Sequence, residues 1–174
     1  MCSSPSTSTS FSNNNNNIKK YYINNKEIRV GDTECIYRVF ETEQVQQFAS
    51  LTGDNNAIHL DVEYVKSKTN FKRNIVHGAL VSSLISTVVG TKLPGPGSVY
   101  ISQEFNYRNP TFVGDTVKAQ VEITLIKGKR IYFDTKCFSI CKDTLKESLV
   151  IDGPATIYHP DIKTKSDNNS NNNP

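Results

Sequence analysis

His77-Gly78-Ala79-Leu80-Val81-Ser82-Ser83-Leu84-Ile85-Ser86-Thr87-Val88-Val89-Gly90, residues 77–90, is the most apolar stretch of the chain, bracketed by glycines and free of formal charge. Leu80, Leu84 and Val88 recur at i, i+4 and i+8, which is a helical period. No wide polar face interrupts them, so the stretch predicts a buried helix with neighbours on most sides. Its hydroxyls can bond carbonyls one turn back or reach a site. Downstream of Pro94-Gly95-Pro96-Gly97 the period changes to two. Val99, Ile101, Gln103, Phe105 and Tyr107 alternate with Tyr100, Ser102, Glu104, Asn106 and Arg108, and Val117, Ala119, Val121, Ile123 and Leu125 alternate with Lys118, Gln120, Glu122 and Thr124. Ile131, Phe133, Thr135 and Cys137 begin a third run, and Leu149, Ile151, Ala155 and Ile157 mark a last one. One buried helix followed by successive strands on short turns predicts an α+β fold, an antiparallel sheet with the helix laid across it.

Upstream, Cys35, Tyr37 and Val39 suggest a short strand ending near Phe40. Thr42 can cap a helix whose face carries Val45, Phe48 and Ala49 and which Gly53 stops, and Asp61 can cap a second short helix running to about Lys68. Between them lies the loop Asp54-Asn55-Asn56-Ala57-Ile58-His59. The ends of the chain read differently. Residues 1–26 and 163–174 are Ser, Thr and Asn tracts that bury too little apolar surface to offset the entropy of ordering them, so both are expected to be disordered tails. Residues 27–162 remain as one folded domain.

A net charge of +3 resolves into a neutral body, because Lys19, Lys20 and Lys26 are the only charged residues among the first 26 and the rest carries 17 basic against 17 acidic side chains. No basic stripe with interleaved aromatics is present, so binding to nucleic acid has no support. No apolar run reaches the length of a membrane span. The four cysteines, at 2, 35, 137 and 141, lack C-x-x-C spacing, and no secretory apolar segment precedes them. They read as free thiols of a protein that is not secreted. The first tail is acid-poor and hydroxyl-rich like a mitochondrial presequence yet has no Arg before Arg29, which leaves mitochondrial matrix and cytoplasm both open. Phosphate-loop, dinucleotide, zincin and G-x-S-x-G motifs are all absent.

An Asp and a His five residues apart in a Gly-Asp-Asn-Asn loop can aim a carboxylate and an imidazole at one water. Such a loop equally suits an Asp that bonds turn amides beside a surface His. Gly78, opening the long helix, leaves an unpaired backbone N–H at the positive helix end with no side chain in the way, which is what an oxyanion site needs. It also suits a glycine used simply for close packing.

Four segments in order, F-A-S-L-T-G-D-N-N-A-I-H-L-D (48–61), R-N-I-V-H-G-A-L-V-S-S-L-I-S (73–86), L-P-G-P-G-S-V-Y (93–100) and P-T-F-V-G-D-T-V (110–117), resemble the signatures of the MaoC-like hydratases, which are (R)-specific enoyl-thioester hydratases or 3-hydroxyacyl-thioester dehydratases. The resemblance implies a hot-dog fold, an antiparallel sheet wrapped around a long central helix. It implies a homodimer and an acyl-thioester substrate on coenzyme A or acyl carrier protein, with no metal and no cofactor. By motif position it makes Asp54 and His59 the catalytic pair and the Gly78 amide the donor to the thioester oxygen. Ser86 becomes a hydroxyl that orients the carboxylate, and Asn56 a loop residue that shapes the site. Lys72, Arg73 and Arg108 are candidates to meet carrier phosphates. The chain departs from the family pattern at Ala57 and Asn74, where Pro is common, and at Ala79, where Met is frequent. The first two substitutions are expected to loosen their loops. A hot-dog thioesterase and a non-catalytic acyl-thioester binding module are the rival readings.

Overall fold

The computed structural model describes residues 19–164. In chain order it contains β1 (Tyr21–Ile23), β2 (Lys26–Ile28), β3 (Thr33–Val39), α1 (Thr42–Thr52), α2 (Ala57–Leu60), α3 (Val62–Lys68), α4 (Gly78–Thr91), β4 (Val99–Gln103), β5 (Asn106–Tyr107), β6 (Thr116–Lys127), β7 (Arg130–Ile140), β8 (Glu147–Tyr158) and β9 (Lys163–Thr164). The three longest strands arise from the alternating runs. Val117, Ala119, Val121 and Ile123 of β6, Ile131, Phe133 and Cys137 of β7, and Ile151, Ala155 and Ile157 of β8 are all buried, their polar neighbours pointing the other way. These strands pair antiparallel in the order β3-β6-β7-β8-β4, and β5 also pairs with β8. Register shifts near Leu125, at Cys137/Phe138 and at Tyr100/Ser102 let the sheet bend instead of lying flat.

The concave face holds α4, which packs on β6, β7 and β3. Val81, Leu84, Ile85, Val88 and Val89 face the sheet, and burying each such side chain contributes about 1.5–3 kcal/mol. The expectation that neighbours surround α4 on most sides fails within the single chain. Ala79, Ser83, Ser86, Thr87 and Thr91 form an exposed face one stripe wide. Three of its hydroxyls bond carbonyls one turn back, Ser83 to Leu80, Thr87 to Ser83 and Thr91 to Thr87.

Two boundaries move. Residues 21–26 were expected in the first tail, and residues 163–164 in the second, but β1, β2 and β9 form a small antiparallel sheet in the order β2-β1-β9. Asn24 and Asn25, with φ of 48° and 65°, make the tight left-handed turn that asparagine tolerates. Ile23 and Ile28 join the core, and Tyr21 donates its hydroxyl to the Ile126 carbonyl. The side chains of Tyr21, Ile23 and Ile28 outweigh the surrounding Asn and Ser composition. The remaining tail assignments fall outside the described residues. Cys137 and Cys141 carry free thiols, whereas Cys35 is disulfide-bonded, since sequence spacing does not reveal which segments approach in space. Among the described residues no helix is long and apolar enough to cross a membrane.

Candidate active site

The site is built by the way α1, α2 and α4 begin and end. Helix α1 starts at a capping box made by Glu41 and Gln44, not at a Thr42 cap. It stops at Gly53, whose φ of 80° suits a residue without Cβ and whose N–H donates to the Ala49 carbonyl at 2.8 Å. The chain then turns through Asp54, Asn55 and Asn56. Asp54 Oδ1 accepts from the Asn56 amide at 3.4 Å, and Asn56 Oδ1 accepts from the Ile58 amide at 3.3 Å. Asn56 thereby caps α2, a single helical turn where the sequence suggested only loop. Ala57 occupies the first position of that turn, where a Pro is equally at home because the N–H there has no helical acceptor. Asn74, the other departure from the family pattern, reaches Ile58 O with its side-chain amide at 3.4 Å and ties α2 to the segment before α4. The loosening expected from these two substitutions is offset locally.

That segment is fixed from the other side. Val76 N donates to Thr111 O at 2.8 Å, Val113 N donates to Asn74 O at 3.0 Å, and Ile75 bridges antiparallel to Phe112. It leads into α4 at Gly78. The first intrahelical bond is Val81 N to His77 O at 3.1 Å, so the amides of Gly78, Ala79 and Leu80 precede it at the positive end of the helix.

Against this frame sit two histidines. His59 Nδ1 lies 2.8 Å from Ile75 O. A carbonyl only accepts, so Nδ1 carries the proton and Nε2 keeps its lone pair open. The ring is half-buried, and burial is the main cause that lowers its pKa from the ordinary 6.5. The Ile75 carbonyl opposes that shift, the nearby His77 adds to it and Asp54 opposes it. His77 is buried, donates Nε2–H to the Asp54 backbone carbonyl at 3.0 Å, and stacks on His59 with ring centroids 3.8 Å apart and planes 28° apart. Asp54 is exposed, and one donor atom from each of Asp54, His59 and His77 lies within 4.8 Å of the others. Beside them a cavity of about 330 Å³ is lined by His59, Gly78, Tyr107, Thr111, Val81 and Val150, among others. Its lining thus joins the His59 imidazole and the first residue of α4 to apolar walls, as a small acyl group requires.

The structure brings together Asp54, Asn56, His59 and Gly78. Ser86 stands apart, about 12 Å along the helix axis from Gly78. Its exposed hydroxyl bonds the phenol of Tyr100, a group that burial pushes up to about 12, so within one chain it does not orient Asp54. Two of the three phosphate candidates are otherwise engaged. Arg73 donates to the buried Asp115 carboxylate at 2.8 Å and to Val113 O at 3.1 Å and lies over Phe112. Arg108 forms a two-pronged pair with Asp152, with contacts of 3.0–3.2 Å. Each guanidinium already has a carboxylate, whereas Lys72 is exposed and forms no ion pair among the described residues.

Asp61, two residues from His59, is spent on capping α3 through the Glu63 and Tyr64 amides. The group that does assemble is Asp54, His59 and His77. Its imidazoles are stacked nearly parallel, so their in-plane lone pairs do not converge on a point 2.0–2.1 Å (roughly the zinc–nitrogen distance) from both. This donor set therefore fits proton transfer better than it fits an ion. Sequence reasoning missed His77 as part of the site and Tyr107 as the ring facing Gly78. The signal for the first was its place immediately before the helix-opening glycine.

An antiparallel sheet wrapped around one helix defines a hot-dog fold, here with a carboxylate and two imidazoles gathered near that helix's N-terminus. The comparisons give the family. The MaoC like domain matches residues 13–147, and the chain belongs to that family. It is 39% identical over 136 residues to the 3-hydroxybutyryl-CoA dehydratase of Methylorubrum extorquens, covering 78% of this chain and 83% of that one. It is 36% identical over 139 residues to the mitochondrial 3-hydroxyacyl-[acyl-carrier-protein] dehydratase of Arabidopsis thaliana, covering 78% and 80%. Among solved structures, the (R)-hydratase from A. caviae involved in PHA biosynthesis superposes with a TM-score of 0.70 at 35% identity, covering 76% of this chain and 98% of that one.

Proposed function

We propose that the protein catalyses the reversible hydration of trans-2-enoyl thioesters, carried by coenzyme A or acyl carrier protein, to (3R)-hydroxyacyl thioesters. The observation that carries this reading is the open Nε2 of His59 beside the Asp54 carboxylate and the free amide of Gly78. The thioester oxygen accepts from Gly78 N–H at the positive end of α4, where enolate charge is stabilised as it forms. A water held by Asp54 and His59 adds its oxygen to the β carbon. One of its protons passes to the pair, and the pair returns a proton to the α carbon, so the water is divided across the double bond and neither side chain is consumed. Asp54 and His59 titrate as a unit in this scheme. The C–S bond stays whole because attack is directed at the β carbon and not at the carbonyl. Support for the (R) product comes from the names of the relatives, since local geometry does not set handedness.

A homodimer accompanies this reading. Strand β4 is a sheet edge, and Val99, Ile101 and Tyr107 beside it are more than half exposed. A second copy joined there would cover them, and analytical ultracentrifugation decides the point. Either the mitochondrial matrix or the cytoplasm suits the chemistry, and the Arabidopsis relative is mitochondrial by name.

The test is to mix the protein with crotonyl-CoA, follow loss of the enoyl absorbance, titrate free thiol, and couple the product to (R)- and (S)-specific 3-hydroxyacyl-CoA dehydrogenases. Oxidation by the (R)-specific enzyme alone, without thiol release, is expected. Thiol release in step with absorbance loss would make the protein a thioesterase. Asp54→Asn and His59→Ala should each remove most turnover, with the double variant little worse than either, because groups acting as a unit are non-additive. Full activity in both single variants would refute the site.

A further inference from the structure

We propose that His77 is a positioning residue, the part that holds the Asp54 loop and the His59 ring in register with the Gly78 amide. The inference rests on the hydratase reading above. Two contacts made by one ring, and its place in the chain, carry it. Nε2–H binds the Asp54 carbonyl across 3.0 Å, the ring face stacks on His59 at 3.8 Å, and the next peptide supplies Gly78 N–H. The opposite side is bounded by Phe48 of α1, 5.0 Å away and tilted by 55°. His77 therefore touches both members of the pair while adjoining the oxyanion donor. It is only 2% exposed, and it is absent from the cavity wall, so it acts through its neighbours and not on substrate.

The other ring nitrogen strengthens the point. His77 Nδ1 is buried with no hydrogen-bond partner among the described residues. A buried unpaired polar atom works against folding, and an apolar ring of the same size would omit it. What an apolar ring would also omit is the bond to Asp54 O. Keeping the imidazole thus trades stability for the placement of one loop, and the proposal names that placement as its use.

Substitutions separate this role from simple packing. Gln places its amide nitrogen the same number of bonds from Cα as His Nε2, whereas Asn places it where Nδ1 stands. Phe keeps the stack and the volume but has no donor. With the full chain and crotonyl-CoA, His77→Phe should lower kcat by roughly 10²-fold, the typical cost of a misplacement of about 1 Å. KM should stay within about threefold, and the thermal midpoint should not fall. His77→Gln should recover at least roughly tenfold of that kcat over His77→Phe, and His77→Asn should not. A near-native kcat in His77→Phe overturns the proposal, as does a Gln variant no better than the Asn variant. The Gln and Asn comparison stands even if the Phe variant fails to fold. If the wild-type protein does not hydrate the substrate, the hydratase reading falls and this role with it. Wild-type turnover that is indifferent to His77 sinks the inference alone.

Discussion

Replacing Gly78 by Ala is the smallest change that tests the oxyanion assignment, because it keeps the N–H and adds one methyl group. An ideal Cβ at this position lies 2.6 Å from Tyr107 Cε1, 3.0 Å from Cδ1 and 3.4 Å from Cζ. Carbon atoms rest at about 3.5–4.0 Å, so the ring must retreat by about 1 Å. Tyr107 is 56% exposed and sits on the two-residue strand β5, so it can yield. Overpacking of this kind costs about 1–3 kcal/mol, and Ala regains about 1 kcal/mol over Gly in a helix. The net destabilisation is then about 0–2 kcal/mol, or a midpoint lowered by a few degrees in a domain of this size. Activity should suffer much more. Gly78 and Tyr107 both line the cavity, so the methyl and the displaced phenol would crowd the place where, on the proposed mechanism, the thioester oxygen meets the Gly78 amide. A misplacement of about 1 Å costs about 10²-fold in rate, and loss of an oxyanion donor about 10²–10³-fold. The expected fall in kcat/KM is about 10²-fold, equivalent to about 2.7 kcal/mol of transition-state stabilisation. Enoyl-absorbance kinetics on crotonyl-CoA read it directly, with a thermal melt as the control for folding. The double variant Gly78→Ala, Tyr107→Ala then apportions the loss. Recovery to the level of Tyr107→Ala alone assigns it to the displaced ring, and no recovery assigns it to the methyl. A folded Gly78→Ala variant with native kcat/KM would show that no acceptor approaches this amide.

Burial lowers the pKa of His59 below 6.5, so the acid limb of the pH profile of kcat/KM should fall below pH 6.5, and a limb centred above that value would remove His59 as the base. The same shift makes the unfolded chain bind the proton first, so this group's contribution to stability is present above pH 6.5 and is lost as pH falls through the folded pKa. Urea midpoints of wild type and His59→Gln should therefore converge in slope only above that window. Arg73→Ala leaves the 3%-exposed Asp115 without its cation and should cost about 3–5 kcal/mol in urea denaturation, and a loss under 1 kcal/mol (roughly a surface pair) would mean that Asp115 is solvated. Deleting residues 1–26 should lower the thermal midpoint, because it removes β1 and uncovers Ile28.

The α+β class, the central helix and the three long strands were legible in the sequence because each is encoded by local periodicity. Val117 to Ile123 alternate at period two and Leu80 to Val88 at period four, and each pattern has one structure that buries it. The pair Asp54 and His59 was legible for a similar reason, since five residues on one loop stay close whatever the rest of the chain does. Composition misplaced both domain boundaries, because the β1-β2 hairpin depends on Tyr21, Ile23 and Ile28 meeting the core and on β9 arriving from residue 163. The remaining features are set by chain segments far apart in sequence. Only the tertiary structure assigned the proton of His59, through Ile75 O sixteen residues away, and placed His77 against Asp54 O twenty-three residues away. The Tyr107 ring over Gly78, and the carboxylates that occupy Arg73 and Arg108, are decided in the same way. Periodicity states which face of an element is buried. Which partner meets that face, and therefore which nitrogen is free to take a proton, follows from the packing of the whole sheet around α4.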